Sequence, residues 1–152
     1  MQVFIGADHA GFKLKEHLKK FLAKKGYSVK DLGNKKLDSK DDYPDFAYRV
    51  AKAVSKSKGK GEDKGVLCCG SAEGMCIAAN KVKGVRAVAV WSLQNAKLSR
   101  QHNDANVLCL GGWQLGKAKA EKIVLAWLKT KFSGIARHKR RIKKISAIER
   151  KR

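Results

Sequence analysis

The chain opens with a continuous apolar run, Val3-Phe4-Ile5, closed by Gly6, and then repeats Leu14, Leu18, Phe21 and Leu22 at helical spacing before Gly26. An unbroken apolar run suits a strand buried on both faces, and a three-to-four-residue period suits a helix with one buried side. The pattern predicts strand, loop, helix. It recurs with a second strand over 28–32, a polar loop over 33–42, and a helix headed by Pro44 in which Phe46, Val50 and Val54 return every fourth residue. Val66-Leu67-Cys68-Cys69 forms a third strand ending at a glycine-containing turn, followed by a short helix over about 75–82 and a fourth strand over 85–90. Ser92 can cap a helix reaching Gln101, and 107–110 makes the fifth strand. Leu115, Ile123, Val124, Trp127 and Leu128 mark the next helix. Beyond Gly134, Ile142, Ile145 and Ile148 give a basic terminal helix one apolar stripe.

Five short apolar strands alternating with helices predict one α/β domain over residues 1–152, a doubly wound sandwich with a parallel sheet covered on both faces. Ligands in such sheets bind outside the carboxyl ends of the strands, here the segments after Ile5, Cys69, Val90 and Leu110. The glycines of Gly59-Lys60-Gly61-Glu62-Asp63-Lys64-Gly65 invite a nucleotide-loop reading. That run precedes a strand where a phosphate loop must follow one, so 56–64 reads as a linker.

Charge changes the picture next. The chain has 35 Lys and Arg against 13 Asp and Glu, a formal charge of +22, which creates a field attractive to polyanions. Residues 137–152 hold nine Lys or Arg and one Glu, and the remainder is spread over helical faces such as Lys13, Lys15, Lys19, Lys20, Lys24 and Lys25. The spread predicts a solvated surface. Aromatic residues do not interleave with the basic ones, so nucleic acid is expected to bind without sequence preference, if at all. No apolar run approaches the ~18 residues of a membrane span, and the opening segment is too short for a signal-peptide core, so a soluble, cytoplasmic protein is expected. Cys68, Cys69, Cys76 and Cys109 then read as reduced thiols rather than a disulfide framework. Neither C-x-x-C nor H-x-x-x-H occurs, and no metal or cofactor is expected.

Candidate chemistry gathers at the strand ends. Gly6-Ala7-Asp8-His9-Ala10-Gly11-Phe12 places a carboxylate and an imidazole at a helix start, a position suited to anions; the bland alternative is that Asp8 caps the helix and His9 is a surface residue. Cys69-Gly70-Ser71-Ala72-Glu73-Gly74 is a turn into a helix whose amides can hold an oxyanion or phosphate. Cys69, next to that helix start, is expected to have a lowered thiol pKa, while Cys68 should point the other way. Cys68, Cys76 and Cys109 read as small buried hydrophobes. Between the fourth helix and fifth strand, Ser99-Arg100-Gln101-His102-Asn103-Asp104-Ala105-Asn106 is dense in polar groups. Asp104 and Asn106 suit turns, and His102 with Asn103 offers a proton acceptor and a hydrogen-bonding group.

These motifs in this order resemble the ribose-5-phosphate isomerase B type of sugar-phosphate isomerase, a family that includes allose-6-phosphate isomerases and galactose-6-phosphate isomerase subunits. The resemblance is carried by the Gly6 to Phe12 segment, Asp42-Tyr43-Pro44-Asp45, Cys69-Gly70-Ser71 with Gly74, Ile77-Ala78-Ala79-Asn80-Lys81, Gly84-Val85-Arg86-Ala87, the stretch from Leu98 to Val107, and Arg137-His138 with Arg141. It implies a Rossmann-like three-layer αβα sandwich, no metal or cofactor, and a homodimer or homotetramer with the active site between two subunits. It implies further that Cys69 is the base, Ser71 its helper, and the amides of Gly70 to Gly74 the oxyanion cradle. Asp8 handles the sugar hydroxyls, His102 opens the furanose ring and Asn103 contacts the sugar. His9, Arg137 and Arg141 bind the phosphate, and Tyr43 lines the pocket.

Three positions depart from the family pattern. Ala72 stands where the turn usually has its middle glycine, which requires a tight loop to accept a Cβ. The glutamate base of another branch aligns with Met75. Gly111-Gly112-Trp113 replaces the common Gly-x-Arg after the fifth strand, implying either one phosphate ligand fewer or a pocket reshaped by Trp113. The resulting expectation is an aldose–ketose isomerase, with ribose 5-phosphate to ribulose 5-phosphate first and the allose and galactose phosphates as alternatives. A weakened homologue that binds polyanions, and a thiol redox sensor built on Cys68-Cys69, are the competing classes.

Overall fold

The computed structural model describes residues 1–57 and 62–151, and the middle of the stretch read as a linker, 58–61, lies outside the described residues. The elements follow in the order β1 (Gln2–Ala7), α1 (Phe12–Lys24), β2 (Ser28–Asp31), α2 (Tyr43–Lys56), β3 (Lys64–Cys69), α3 (Glu73–Ala79), β4 (Ala87–Ala89), α4 (Leu93–Asn103), β5 (Val107–Gly111), α5 (Lys117–Lys129) and α6 (Ala136–Glu149). All strand pairs are parallel, in the order β2-β1-β3-β5-β4. The expected doubly wound αβα sandwich is what forms. The continuous apolar runs occupy the interior: β3 and β5 are buried throughout, whereas the edge strand β2 is half exposed.

Two apolar cores lie on opposite faces of the sheet. Leu14, Leu18 and Leu22 of α1 pack with Ile123, Val124 and Trp127 of α5 on one face, and Phe46, Val50 and Val54 of α2 with Met75 and Ala79 of α3 on the other. Cys68 joins the first core and Cys69 the second, as strand alternation requires. Among the described residues no helix is long and apolar enough to cross a membrane.

Some boundaries differ from the sequence pattern for identifiable reasons. α3 starts at Glu73 rather than 75 because Ala72 takes a left-handed turn, φ 75°, ahead of it. It ends before 82 because the Asn80 side chain pairs with both backbone groups of Ala87, donating to its oxygen at 3.0 Å and accepting from its nitrogen at 2.8 Å. β4 is shorter than the strand expected over 85–90, since the Arg86 amide donates to the Asn106 side chain at 2.7 Å instead of entering a ladder. Lys15, read as solvated, is fully buried: its ammonium donates to Asp31 Oδ2 at 2.9 Å and to the Asn34 carbonyl. The stripe on α6 is not a core either, with Ile145 and Ile148 exposed and His138 the buried residue of that helix. Cys76 is half-buried rather than buried.

Candidate active site

The strand order reverses direction between β1 and β3, whose ends lie side by side with Ala7 opposite Cys68. The residues just beyond, Asp8 and Cys69, therefore leave the sheet at one crevice. Close backbone approach shapes it. A Cβ on Gly11 would lie 2.1 Å from the Cys68 carbonyl oxygen, so only glycine lets α1 begin against the end of β3. The Gly112 amide donates to the Cys69 carbonyl at 2.7 Å and the Trp113 amide to the Gly70 carbonyl at 3.1 Å, which ties the turn after β5 to the turn after β3.

A cavity of about 220 Å³ opens there, walled by Asp8, His9 and Ala10 after β1, Tyr43 at the start of α2, Cys69, Gly70, Ser71 and Gly74, and Trp113. The two aromatic rings cover the two glycines. A Cβ on Gly70 would meet the Trp113 ring at 2.6 Å, and one on Gly74 the Tyr43 ring at 2.8 Å. Trp113 is 75% exposed and forms a rim of the cavity with no charge to offer an anion.

Electrostatics in the cavity are set by burial and amides. Asp8 is buried, its Oδ1 accepts from the Gly11 amide at 2.9 Å, and burial raises its pKa above the ordinary carboxylate value. It braces the turn ahead of α1 and does not cap the helix, whose N-cap is Gly11 with no side-chain cap bond, and it also lines the cavity. The Ala72 amide donates to Cys69 Sγ at 3.1 Å, and Ser71 and Met75 amides act on the same sulfur. Burial nevertheless outweighs them. The Cys69 thiol pKa is raised rather than lowered, because the residue is 5% exposed and belongs to the second core, where desolvation penalises the thiolate more than the amides favour it. His9 Nδ1 lies 2.7 Å from Asp41 Oδ1, and this hydrogen bond raises the His9 pKa.

The second group of predicted residues lies elsewhere. A helix returning between parallel strands ends at the amino edge of the sheet, so His102 and Asn103, closing α4, sit beside the start of β5. The Gly65 amide, near the start of β3, donates to the Asn106 carbonyl at 2.9 Å. Cys69 lies four residues further along that strand, roughly 13 Å away at about 3.3 Å per residue. Most polar groups of this segment are structural: Arg100 and Arg86 bind Asp104 at 2.7 and 2.9 Å, and Asp104 caps α4 in a left-handed conformation, φ 45°. His102 faces His138 of α6, ring centroids 4.4 Å apart, and His138 is held by Ser133 Oγ at 2.7 Å and by Arg137 Nε at 3.3 Å. Burial and the neighbouring positive groups lower the His138 pKa. Arg137 and Arg141 are exposed on α6.

The chain thus brings Asp8, His9, Tyr43, Cys69, Gly70, Ser71 and Gly74 to one cavity, and His102 and Arg137 to a second cluster around His138. The contacts of Asp41 with His9, of Lys15 with the loop beside Asp41, and of His138 with His102 were not read from the sequence. The burial of Lys15 had a signal, since 15, 18 and 22 share one helical face with Leu18 and Leu22; Asp41 had none, because its loop has no period. Among the described residues no three His, Cys, Asp or Glu side chains are placed to hold a metal ion.

Fold and crevice define an α/β protein with a thiol, a carboxylate and an imidazole at its topological switch point. The sequence profile of the Ribose/Galactose Isomerase family matches residues 3–145, and the chain belongs to that family. It is 42% identical over 151 residues to the ribose-5-phosphate isomerase B of Escherichia coli, covering 99% of this chain and 98% of that one. The crystal structure of ribose-5-phosphate isomerase B from Mycoplasma genitalium with bound ribulose-5-phosphate superposes with a TM-score of 0.93 at 46% identity, covering 99% and 97%. The solved structure of the Clostridium thermocellum ribose-5-phosphate isomerase B gives 0.93 at 44%, covering 99% of each chain.

Proposed function

We infer that the protein is an aldose–ketose isomerase converting ribose 5-phosphate to ribulose 5-phosphate. The observation that carries the reading is the cavity whose walls bring Cys69, its sulfur fixed by the Ala72 amide, together with Asp8 and His9. Relatives bearing the name ribose-5-phosphate isomerase B support it at 42% to 46% identity. His102 opens the furanose ring. As thiolate, Cys69 removes the proton on C2 of the open-chain sugar, and the electron pair moves to O1 to give a cis-enediolate. Asp8 passes the hydroxyl proton from O2 to O1, and Cys69 returns its proton to C1. Ser71 and the amides of Gly70 to Gly74 steady the negative oxygen, and Asn103 and Tyr43 hold the sugar.

The phosphate is bound by His9 with Arg137 and Arg141. Since His102 and the arginines lie across the sheet from Cys69 in one chain, the complete site takes Asp8, His9 and Cys69 from one subunit and His102, Asn103, Arg137 and Arg141 from its partner in a homodimer. The enzyme works in the cytoplasm, where free thiols stay reduced.

A coupled assay over ribose, allose and galactose phosphates tests the substrate, with ribose 5-phosphate expected to give the highest kcat/KM and preference for a six-carbon sugar overturning it. Mixing tests the shared site. Cys69→Ala and His102→Ala are each inactive as homodimers, but random reassociation gives about half heterodimers with one intact site of two, so about a quarter of wild-type activity returns. No recovery despite subunit exchange would place the whole site within one chain.

A further inference from the structure

The loop between β2 and α2 delivers one carboxylate, Asp41, onto His9 of the cavity wall. Asp41 is 6% exposed at its side chain, and its Oδ1 accepts from both His9 Nδ1 at 2.7 Å and the His9 backbone amide at 3.0 Å. The Asn34 side-chain amide holds the other oxygen, and the Asn34 carbonyl accepts from the buried Lys15 ammonium, which is itself fixed by Asp31 at 2.9 Å. A continuous run of hydrogen bonds therefore leads from a buried lysine in α1 to a histidine on the cavity wall.

We propose that Asp41 is a positioning residue for His9, fixing the ring through Nδ1 so that Nε2–H is turned to the phosphate of the substrate. The proposal rests on reading the cavity as a sugar-phosphate site. A neutral histidine whose Nδ1–H faces a carboxylate presents a lone pair at Nε2, which repels an anion; the doubly protonated ring presents a donor and a charge. The carboxylate stabilises that charged form, consistent with the raised His9 pKa. The charged groups acting on His9 are Asp41 and Asp38 from the loop and Asp8 from its own segment, all acidic. Tyr43 from α2 and Cys69 from β3 are the titratable groups that border the cavity from other elements. The device is distinct from His102 and the arginines, because it adjusts the one phosphate ligand that shares a cavity with the base.

The test compares wild type, Asp41→Asn and Asp41→Glu, measuring kcat and KM with ribose 5-phosphate between about pH 6 and about pH 9, and the imidazole nitrogen titration of His9 by NMR. In Asp41→Asn, KM is expected to rise roughly tenfold above neutral pH, with kcat within about twofold of wild type and His9 titrating at lower pH. Asp41→Glu recovers part of the loss. A His9 titration unmoved by Asp41→Asn, or a fall in kcat at constant KM, overturns the proposal. Should Asp41→Asn fail to fold, Asn34→Ala leaves the carboxylate in place but frees one oxygen: a smaller KM rise of the same sign supports the proposal, and unchanged KM overturns it. If the wild type isomerises none of the sugar phosphates, the function falls separately, and the His9 titration with inorganic phosphate binding still decides the role of Asp41.

Discussion

At the carboxyl end of the sheet the reactive groups are sunk into the fold and held by backbone amides, Asp8 by Gly11 and Cys69 by Ala72, whereas at the amino end Arg137 and Arg141 stand exposed on α6, the helix whose buried residue is His138. The first arrangement shifts pKa values, because desolvation acts against the charged forms of a thiol and a carboxylate. The second leaves guanidinium groups in solvent and able to reach. Proton transfer benefits from the former and anion capture from the latter, and burying both kinds of group in one small crevice would cost several kcal/mol per unpaired ion. A loop and one histidine, His9 with Asp41, bring positive charge to the buried end.

The sharpest break of this contrast is Cys69→Ala, which should lower kcat by about 10²–10⁴-fold with the fold kept, while Cys68→Ala, facing the opposite core, leaves the chemistry in place. Equal losses in steady-state assays of the two variants would remove the assignment of the base. Next in size is Asp31→Ala, which removes one carboxylate from the buried Lys15 ammonium while Glu16, at 2.9 Å, remains, and should destabilise the protein by about 1–3 kcal/mol in urea unfolding. Burial pushes the Asp31 pKa up, but hydrogen bonds from Lys19, Lys15 and the Gly33 amide win and hold it below the ordinary 3.8. Its contribution is therefore present above about pH 3.8 and is lost as pH falls through the folded value. At the exposed end, Arg137→Ala and Arg141→Ala should each raise KM by about 1.5–3 kcal/mol of binding with stability unchanged, and a matching loss of melting temperature would show that they are structural.

The two ends also predict a pH profile. Since the Cys69 pKa is raised above 9.0, kcat should climb steadily from neutral into alkaline solution. His9 is raised above 6.5, so its bond to Asp41 contributes stability that is complete below about pH 6.5 and lost as pH rises through its folded value, where KM begins to rise. A flat kcat from pH 6 to 9, a range of about three decades in thiolate fraction, would refute the thiol as base. The smallest expected effect is at Ala72. Its left-handed conformation costs an alanine about 1 kcal/mol, so Ala72→Gly should raise stability by up to about 1 kcal/mol while keeping the amide that donates to Cys69. A loss of stability would show that the methyl, wholly buried in the second core, outweighs the strain.

The sequence by itself determined the alternation of strands and helices, and with it the parallel sheet, the carboxyl ends of the strands as the place of the site and the opposite facing of Cys68 and Cys69. These follow from local periods and from the right-handed return of a helix between parallel strands. It also carried the family motifs, because Gly11, Gly70 and Gly74 are demanded by backbone and ring contacts that admit no Cβ. Tertiary structure alone decided whether Cys69 gains or loses a proton more readily, since neighbouring amides are visible in a sequence and desolvation is not. It decided that Lys15 is interior, that the Ser99 to Asn106 segment spends most of its polar groups on Arg86, Arg100 and Asp104, and that His102 lies at the far edge of the sheet from Cys69. Each of these depends on which distant residues meet, and long-range packing leaves no period along the chain. Asp41 illustrates the point: 32 residues separate it from His9, and only the path of the β2–α2 loop brings the two within 2.7 Å.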